Sequence, residues 1–157
     1  MNLHPALHSG RVAVITGGAS GIGLATAKRL AAMGLKICLA DLSPDALSRA
    51  AAEVAAVSSQ DAVLAVPTDV SRLDQVKALH DAAYARFGEV ALLMNNAGTA
   101  PGGGPYDAID RWRKVLDVNL WGVINGVQTF VPSMLAQRTP CAVVNTGSKQ
   151  GITCPPG

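Results

Sequence analysis

Five short apolar segments alternate with helical segments along this chain, and that alternation restricts its fold more than any other feature. The predicted strands are residues 11–16, 36–40, 63–66, 90–94 and 142–145. Each contains a run of apolar residues, which is typical of strands buried on both faces. Strands of this kind linked through helices predict a parallel sheet covered on both sides. The expected architecture is a doubly wound α/β fold.

The segments between these strands carry the signals of helix starts and ends. Helices are predicted over residues 21–33, 44–56, 71–87 and, after a glycine- and proline-rich loop at 99–105, 107–137. Ser43 is predicted to cap the second helix and Ser71 the third, whereas Gly34 and Gly88 stand where C-terminal glycines belong. Pro132 is expected to kink the last turns of the fourth helix.

The composition excludes several classes of function. The 157 residues are 49% hydrophobic and carry a net charge of +2, with Lys and Arg scattered and no basic run. This is the size and apolar content of one domain over residues 1–157, and the charge pattern indicates neither nucleic acid nor an anionic membrane as a partner. No stretch approaches the roughly 18 apolar residues of a membrane span. A small molecule is the expected ligand.

The N-terminal residues, the cysteines and the histidines indicate a cytoplasmic protein without a metal site. Residues 1–10 lack the basic and apolar regions of a signal peptide and are expected to form a flexible arm. Cys38, Cys141 and Cys154 have neither disulfide nor metal-ligand spacing, so free thiols are expected. His80 lies on a predicted helix and is interpreted as a surface residue.

The first predicted strand is followed by a glycine-rich run that opens a helix, T-G-G-A-S-G-I-G at residues 16–23. Its glycines, Gly17, Gly21 and Gly23, are not spaced as in the commoner G-x-G-x-x-G fingerprint, but the physics is the same. Glycine permits tight turns and leaves no Cβ between the backbone and a pyrophosphate at the helix N-terminus. A plain loop is the alternative, although the position between strand and helix favours a phosphate site.

An aspartate at the end of the second predicted strand extends this pattern. Asp41 lies 18 residues beyond Gly23, where a carboxylate can accept hydrogen bonds from both ribose hydroxyls of adenosine and would repel a 2′-phosphate. Its neighbours Ala40 and Leu42 carry no positive charge. The sequence thus favours NAD over NADP as cofactor. The alternative is a solvated aspartate that only ends a strand.

With this signature the chain resembles the short-chain dehydrogenase/reductase family, of the type with a T-G-x-x-x-G-I-G motif, from about residue 10 to residue 157. Asp69-Val70 after the third strand and Asn95-Asn96-Ala97-Gly98 after the fourth match further family motifs in the expected order. The resemblance implies a Rossmann-like domain in which the Asp69 side chain receives the adenine amino group. The implied cofactor contacts are Gly17, Ser20, Gly21, Ile22, Gly23, Asp41, Leu42, Asp69, Val70, Asn95, Ala97 and Gly98.

Two further positions match residues that the family uses in catalysis. Asn119 would support a proton relay, and Ser148, just past the fifth strand, would orient the oxygen of an alcohol or ketone substrate. Alternatively, Asn119 is a satisfied core amide that ties its helix to a strand. In the family, hydride passes between the substrate carbon and the nicotinamide. The resemblance therefore implies an NAD-dependent oxidoreductase that acts on a small alcohol or ketone.

The tyrosine and lysine that complete the family's catalytic group, four residues apart, have no match in this sequence. The tyrosines present are Tyr84 and Tyr106, and the residues four positions later are Gly88 and Asp110. We expect the pair beyond Gly157, in a domain that is incomplete after its fifth strand, and we expect the chain alone to be inactive or nearly so. The intact form is expected to be a homo-oligomer. The alternative is a naturally short module that binds NAD or a partner chain without catalysis.

Overall fold

The computed structural model describes residues 3–100 and 106–148. These residues form a five-stranded parallel sheet in the order β3-β2-β1-β4-β5. The strands are β1 Val12–Thr16, β2 Lys36–Asp41, β3 Val63–Pro67, β4 Leu92–Asn95 and β5 Ala142–Asn145. The predicted doubly wound α/β fold is confirmed. The strand order reverses at β1, which pairs with β2 on one side and β4 on the other, so a crevice opens there beyond the carboxyl ends of the strands.

Helices cover both faces of this sheet. They are α1 Gly21–Ala32, α2 Pro44–Ala55, α3 Leu73–Phe87, α4 Ile109–Leu116 and α5 Gly122–Ala136, with a π turn, Asp117–Trp121, between the last two. On the face covered by α1 and α2, Leu30 and Leu47 share a buried cluster with Ile15. On the opposite face, Leu79 of α3 and Phe130 of α5 share a second cluster with Val14. Every residue of β1 is consequently buried, as its continuous apolar run predicts.

The predicted helix ends are confirmed at three positions. Ser43 caps α2, because its hydroxyl oxygen accepts a hydrogen bond from the N–H of Ala46 at 3.3 Å. Gly34 and Gly88 follow α1 and α3 closely and have φ angles of +88° and +81°, the left-handed conformation that ends many helices. Among the described residues, no helix is both long enough and apolar enough to cross a membrane.

Other boundaries differ from the prediction because side chains bind the backbone there. Ser71 does not cap α3: its N–H and hydroxyl donate to Oδ1 of Asp69, at 3.0 and 2.6 Å, and the helix begins at Leu73. Strand β4 begins at Leu92 rather than at residue 90. The side-chain amide of Gln137 accepts from the N–H of Val90 at 2.9 Å and donates to its carbonyl at 3.1 Å, so both backbone groups of Val90 are engaged outside the sheet.

Residues 5–7 are packed against the domain, which corrects the expectation of a flexible arm for this part of residues 1–10, whereas residues 1 and 2 lie outside the described residues. Pro5–Leu7 form a 3-10 turn, in which Nδ1 of His4 accepts a hydrogen bond from the N–H of Ala6 at 3.2 Å. Ala6 is completely buried, and Leu7 packs against the cluster beneath α1 and α2. These two apolar side chains anchor a segment that its sequence predicts to be an unpacked arm.

Arg11 connects this turn to the amino-terminal edge of the sheet. Its largely buried guanidinium donates to Glu89 at 2.8 Å, to the Thr139 hydroxyl at 3.3 Å and to the Pro140 carbonyl at 3.0 Å. We expect Arg11→Ala to lower the free energy of unfolding by about 2 kcal/mol, because charge-assisted hydrogen bonds are lost where water replaces them poorly. Urea unfolding measures this loss. A loss no greater than that of Arg49→Ala, at an exposed arginine of α2, would contradict the prediction.

Candidate functional site

Most of the predicted site residues lie at the carboxyl-terminal edge of the sheet, on the segments that leave neighbouring strands. These segments are residues 16–23 after β1, 41–42 after β2, 69–70 after β3, 95–98 after β4 and 146–148 after β5. Backbone hydrogen bonds join neighbouring chain segments at this edge. The N–H of Thr68 donates to the carbonyl of Asp41 at 2.8 Å, and that of Thr146 donates to the carbonyl of Asn95 at 3.0 Å.

The turn between β1 and α1 requires glycine for two different reasons. Gly17 and Gly21 have φ angles of +63° and +51°, in the left-handed region that side chains disfavour. A Cβ at Gly23 would collide with the carbonyl oxygen of Gly17 and would lie 2.7 Å from Nδ2 of Asn96. A Cβ at Gly21 would meet no heavy atom within 4 Å. The backbone at Gly23 is therefore enclosed, whereas open space lies beside Gly21 at the N-terminus of α1.

The N-terminus of α1 is suited to an anion. Ser20 occupies the N-cap position, but its side chain accepts no hydrogen bond from the first turn. Ser20 and Ile22 are exposed on either side of Gly21. The first N–H groups of a helix have no partner within the helix, and the helix dipole places partial positive charge there. A pyrophosphate fits these residues, since both its charge and its acceptor oxygens match the site.

Asn96 links three of the five segments, and it was not among the predicted site residues. Its Nδ2 donates to the carbonyls of Thr16 and Gly17, at 3.1 and 3.2 Å, while its Oδ1 accepts from the Thr146 hydroxyl at 3.2 Å. The buried Thr16 hydroxyl oxygen in turn accepts from the N–H groups of Asn96 and Ala97, at 3.0 and 3.1 Å. The sequence feature that indicates this role is the position of Asn96, the second asparagine of the run at 95–98, which follows β4 next to β1.

Asn95 is almost fully buried, and its side chain lies beneath α5. Its Nδ2 donates to Oδ1 of Asn145 at 2.9 Å, which pairs the last residues of β4 and β5. Its Oδ1 is buried without a hydrogen-bond partner among the described residues. A Cβ at Gly126 of α5 would collide with this oxygen. The side chain therefore joins two strands and a helix, and a contact between Asn95 and a cofactor stays a prediction.

Asp41 faces the glycine turn. Its Oδ2 accepts a hydrogen bond from the N–H of Ala19 at 3.0 Å, and its Oδ1 accepts one from the N–H of Leu42 at 2.8 Å. The N–H of Gly18 donates to the carbonyl of Ala40 at 3.0 Å, which draws the turn toward the end of β2. The carboxylate is half-buried, and the Leu42 side chain beside it is exposed. The predicted acidic group therefore lies directly against the predicted phosphate-binding turn.

The segment after β3 is held by side chains of α3 and α5. The N–H of Asp69 donates to Oε1 of Gln75 at 2.8 Å, and the carbonyl of Val70 accepts from Nδ2 of Asn125 at 2.9 Å. Val70 is buried. Neither amide side chain was among the predicted site residues, because neither lies within one of the sequence motifs.

Asn119 lies in the π turn between α4 and α5, and its amide binds a single backbone residue. Oδ1 accepts from the N–H of Thr99 at 2.8 Å, and Nδ2 donates to the carbonyl of Thr99 at 2.9 Å. The side chain thus holds the loop that follows β4, beside Gly98. This differs from the alternative of a core amide that ties its helix to a strand, because Asn119 is exposed. A catalytic role for it stays a prediction.

Ser148 is the last described residue of the segment after β5, and it is exposed at the same edge of the sheet. The preceding Thr146 fixes this segment through its backbone N–H to Asn95 and its hydroxyl to Asn96. No heavy atom lies within 4 Å of where a Cβ would stand at Gly147. Lys149 and most of the loop predicted at 99–105 lie outside the described residues.

Other titratable side chains lie away from this edge. Burial raises the pKa of the Cys38 thiol to about 12. Burial, with smaller contributions from Cys141 and Glu89, also raises the pKa of Tyr84 to about 12, and the Tyr84 hydroxyl donates to Gln137 at 2.6 Å. Within residues 3–100 and 106–148, no group of three or more His, Cys, Asp or Glu side chains is arranged to hold a metal.

His80 is not a surface residue, which corrects the interpretation from the sequence. Its side chain is mostly buried, with Nε2 at 2.9 Å from the Ser133 hydroxyl and Nδ1 at 2.8 Å from Asp81. Its ring also contacts the rings of Tyr84 and Phe130. These contacts place it between α3 and α5, where it packs the two helices together.

Comparison with known proteins gives a consistent result along almost the entire chain. The family model described as short chain dehydrogenase matches residues 11–157. The 1-deoxy-11-beta-hydroxypentalenate dehydrogenase of Streptomyces exfoliatus is 39% identical over 141 residues, which are 88% of this chain and 50% of that protein. Levodione reductase of Leifsonia aquatica is 40% identical over 144 residues, 90% of this chain and 54% of that protein. The chain spans about half the length of the curated relatives that it matches.

Solved structures agree with these relatives. A short chain dehydrogenase/reductase from Burkholderia phymatum, in complex with NAD, superposes with a TM-score of 0.90 at 44% identity and covers 94% of this chain and 52% of that one. An NAD⁺-bound xylitol dehydrogenase superposes with a TM-score of 0.88 at 32% identity, covering 94% and 56%. The same fold is thus found in proteins of similar sequence.

Proposed function

This chain belongs to the short-chain dehydrogenase/reductase family of oxidoreductases, and on that premise we propose that its carboxyl-edge site binds a nicotinamide dinucleotide, NAD in preference to NADP. The proposed reaction is hydride transfer between this cofactor and a small alcohol or ketone. Two of the similar solved structures are described as bound to NAD, which supports the choice of cofactor. The intact protein is proposed to act in the cytoplasm as a homo-oligomer.

One observation carries this proposal, namely the contact between Asp41 and the glycine turn. The N–H of Ala19 donates to Oδ2 of Asp41 at 3.0 Å, so an acidic side chain lies next to the uncapped N-terminus of α1. A dinucleotide carries ribose hydroxyls next to its pyrophosphate. The helix terminus would hold the pyrophosphate, and Asp41 would accept the ribose hydroxyls.

The remaining residues would contact either the adenine end or the nicotinamide end of the cofactor. Asp69 and Val70 would contact the adenine, with Leu42 beside the ribose. Ala97 and Gly98 would bring backbone against the nicotinamide half. When bound, the nicotinamide would accept or supply the hydride.

Two residues would act at the substrate. The Ser148 hydroxyl would orient the substrate oxygen from its exposed position after β5. Asn119 would hold the Thr99 backbone, and so the loop after β4, on the opposite side of the substrate. Neither residue supplies the tyrosine and lysine that complete the family's proton transfer.

The cofactor preference can be tested at Asp41. We expect Asp41→Ala to reduce the ratio of NAD affinity to NADP affinity by about tenfold, because the variant loses acceptors for the ribose hydroxyls and no longer repels a 2′-phosphate. Isothermal titration with NAD and with NADP measures both dissociation constants. Asp45→Ala, which removes the same charge from the exposed first turn of α2, serves as the control. An unchanged ratio in Asp41→Ala would remove Asp41 from this role.

A second candidate function is dinucleotide binding without hydride transfer. It is favoured by the environment of Tyr84, which is poorly suited to proton transfer because its hydroxyl is bonded to Gln137 and its pKa is raised to about 12. In assays of the natural full-length protein, NAD binding without reduction of NAD across a panel of secondary alcohols would favour this candidate. Turnover with any of them would favour the oxidoreductase.

A further inference from the structure

We propose that Gln75 and Asn125 are positioning residues that hold the Asp69–Val70 dipeptide against the adenine ring of the dinucleotide. The inference rests on the proposed function and adds two side chains that the sequence motifs do not include. Each residue binds one end of the dipeptide, and the two come from different helices. Together they would determine where the Asp69 carboxylate meets the adenine amino group.

The dipeptide needs such support because it belongs to no helix or strand. It lies between the end of β3 at Pro67 and the start of α3 at Leu73. Backbone N–H and carbonyl groups near the core need hydrogen-bond partners. The carbonyl of Asp69 accepts from the N–H of Arg72 at 3.0 Å, whereas the N–H of Asp69 and the carbonyl of Val70 are bound by side chains.

Gln75 holds the amino end of the dipeptide. It lies in the first turn of α3, and its Oε1 accepts the hydrogen bond from the N–H of Asp69 at 2.8 Å. Ser71 binds Oδ1 of the Asp69 side chain through both its N–H and its hydroxyl. The backbone and one carboxylate oxygen of Asp69 are thus fixed by neighbouring residues, which sets the direction of the other oxygen.

Asn125 holds the carboxyl end of the dipeptide. Its Nδ2, on α5, donates to the carbonyl of Val70 at 2.9 Å. Gly122, one turn earlier, allows close contact, since a Cβ there would lie 2.7 Å from Cγ2 of Val70. The Val70 side chain is therefore pressed against α5 while its carbonyl is bound by the same helix. This contact connects residues 55 positions apart in the chain.

The two amides play opposite chemical roles, and this makes the proposal testable. Gln75 acts as an acceptor, so Gln75→Glu retains the bond and adds a charge that the N-terminus of α3 tolerates. Asn125 acts as a donor, so Asn125→Asp loses the bond and places a carboxylate against the Val70 carbonyl. Gln128→Glu makes the same amide-to-carboxylate change at an exposed position of α5 and controls for added charge.

The readout is the ratio of affinities for AMP and IMP, which differ in the 6-amino group that Asp69 would receive. We expect wild-type protein to prefer AMP, and Asn125→Asp to reduce that preference by about three- to tenfold, the value of one hydrogen bond. Gln75→Met, which removes the acceptor at similar size, should reduce it similarly. Gln75→Glu and Gln128→Glu should retain the wild-type ratio. A role in overall folding alone would weaken AMP and IMP equally and leave the ratio unchanged.

Three results would overturn the proposal. The first is a wild-type ratio retained by both Asn125→Asp and Gln75→Met, provided that urea unfolding shows both variants to be folded. The second is wild-type protein that binds NAD but does not distinguish AMP from IMP, which would reject this inference and leave the proposed function intact. The third is wild-type protein that binds neither NAD nor AMP, which would reject the proposed function and this inference with it.

Discussion

Gly23→Ala is expected to lower the free energy of unfolding by about 3 kcal/mol, because a methyl group is forced into a closed contact between backbone segments. The added Cβ would collide with the Gly17 carbonyl oxygen and lie 2.7 Å from Nδ2 of Asn96. The Gly17 backbone cannot move aside as a flexible side chain can. Neither can the Asn96 amide, because it makes three hydrogen bonds. We also expect the loss of measurable NAD binding, because α1 would be displaced from the glycine turn. Urea unfolding and isothermal titration measure the two effects.

Gly21→Ala is the matched control for this prediction. It adds the same methyl group two residues earlier, where no heavy atom lies within 4 Å. Its cost should be that of a left-handed residue, about 1 kcal/mol. If Gly21→Ala destabilised the protein as much as Gly23→Ala, the close contact at Gly23 would cost no more than a left-handed conformation at Gly21, and the prediction would be wrong.

The layout of the sheet could be predicted because its signal is local and redundant. Residues 12–15 are all apolar, a glycine turn follows the strand, and a helix follows the turn. Burial on both faces and alternation with helices leave few arrangements other than a parallel doubly wound sheet. The carboxyl edge follows from that topology, so the positions of Asp41, Asp69 and Ser148 at one edge were also predictable.

Element boundaries were harder to predict, because side chains compete with the backbone there. Ser71 has the sequence of an N-cap, but its hydroxyl binds Asp69, a partner that only the loop geometry brings within reach. Val90 has the sequence of a strand residue, but the amide of Gln137 binds it from 47 positions away. The π turn at Asp117–Trp121 gives no periodic signal, although it determines where Asn119 points.

The candidate site is supported largely by side-chain amides, which explains why sequence motifs found only part of it. Asn95, Asn96, Asn119, Asn125 and Gln75 each bind backbone or another amide at this edge. An amide both donates and accepts, so it can bridge loops whose backbone groups lack partners. It does so without charge, which leaves Asp41 and Asp69 as the acidic groups that face the proposed cofactor. Amides that act only through long-range contacts, such as Asn125, have no local pattern that would reveal them.

Ser148→Ala is expected to reduce kcat by about 100- to 1000-fold in the intact protein, the effect of removing one hydroxyl that is oriented toward a reacting oxygen. The dissociation constant for NAD should change by less than about twofold, because the proposed role of this serine is at the substrate and it lies outside the glycine turn. Position supports this split. Thr146 anchors the segment to Asn95 and Asn96, and both of these contacts are retained in the variant.

Ser133→Ala is the control, since Ser133 binds His80 between α3 and α5 and lies away from the carboxyl edge. It should leave both kcat and NAD affinity close to the wild-type values. Steady-state kinetics with a secondary alcohol, together with NAD titration, separate the two effects in each variant. Equal losses of kcat and NAD affinity in Ser148→Ala would indicate a serine that supports the fold. A loss confined to kcat would place its hydroxyl at the substrate oxygen.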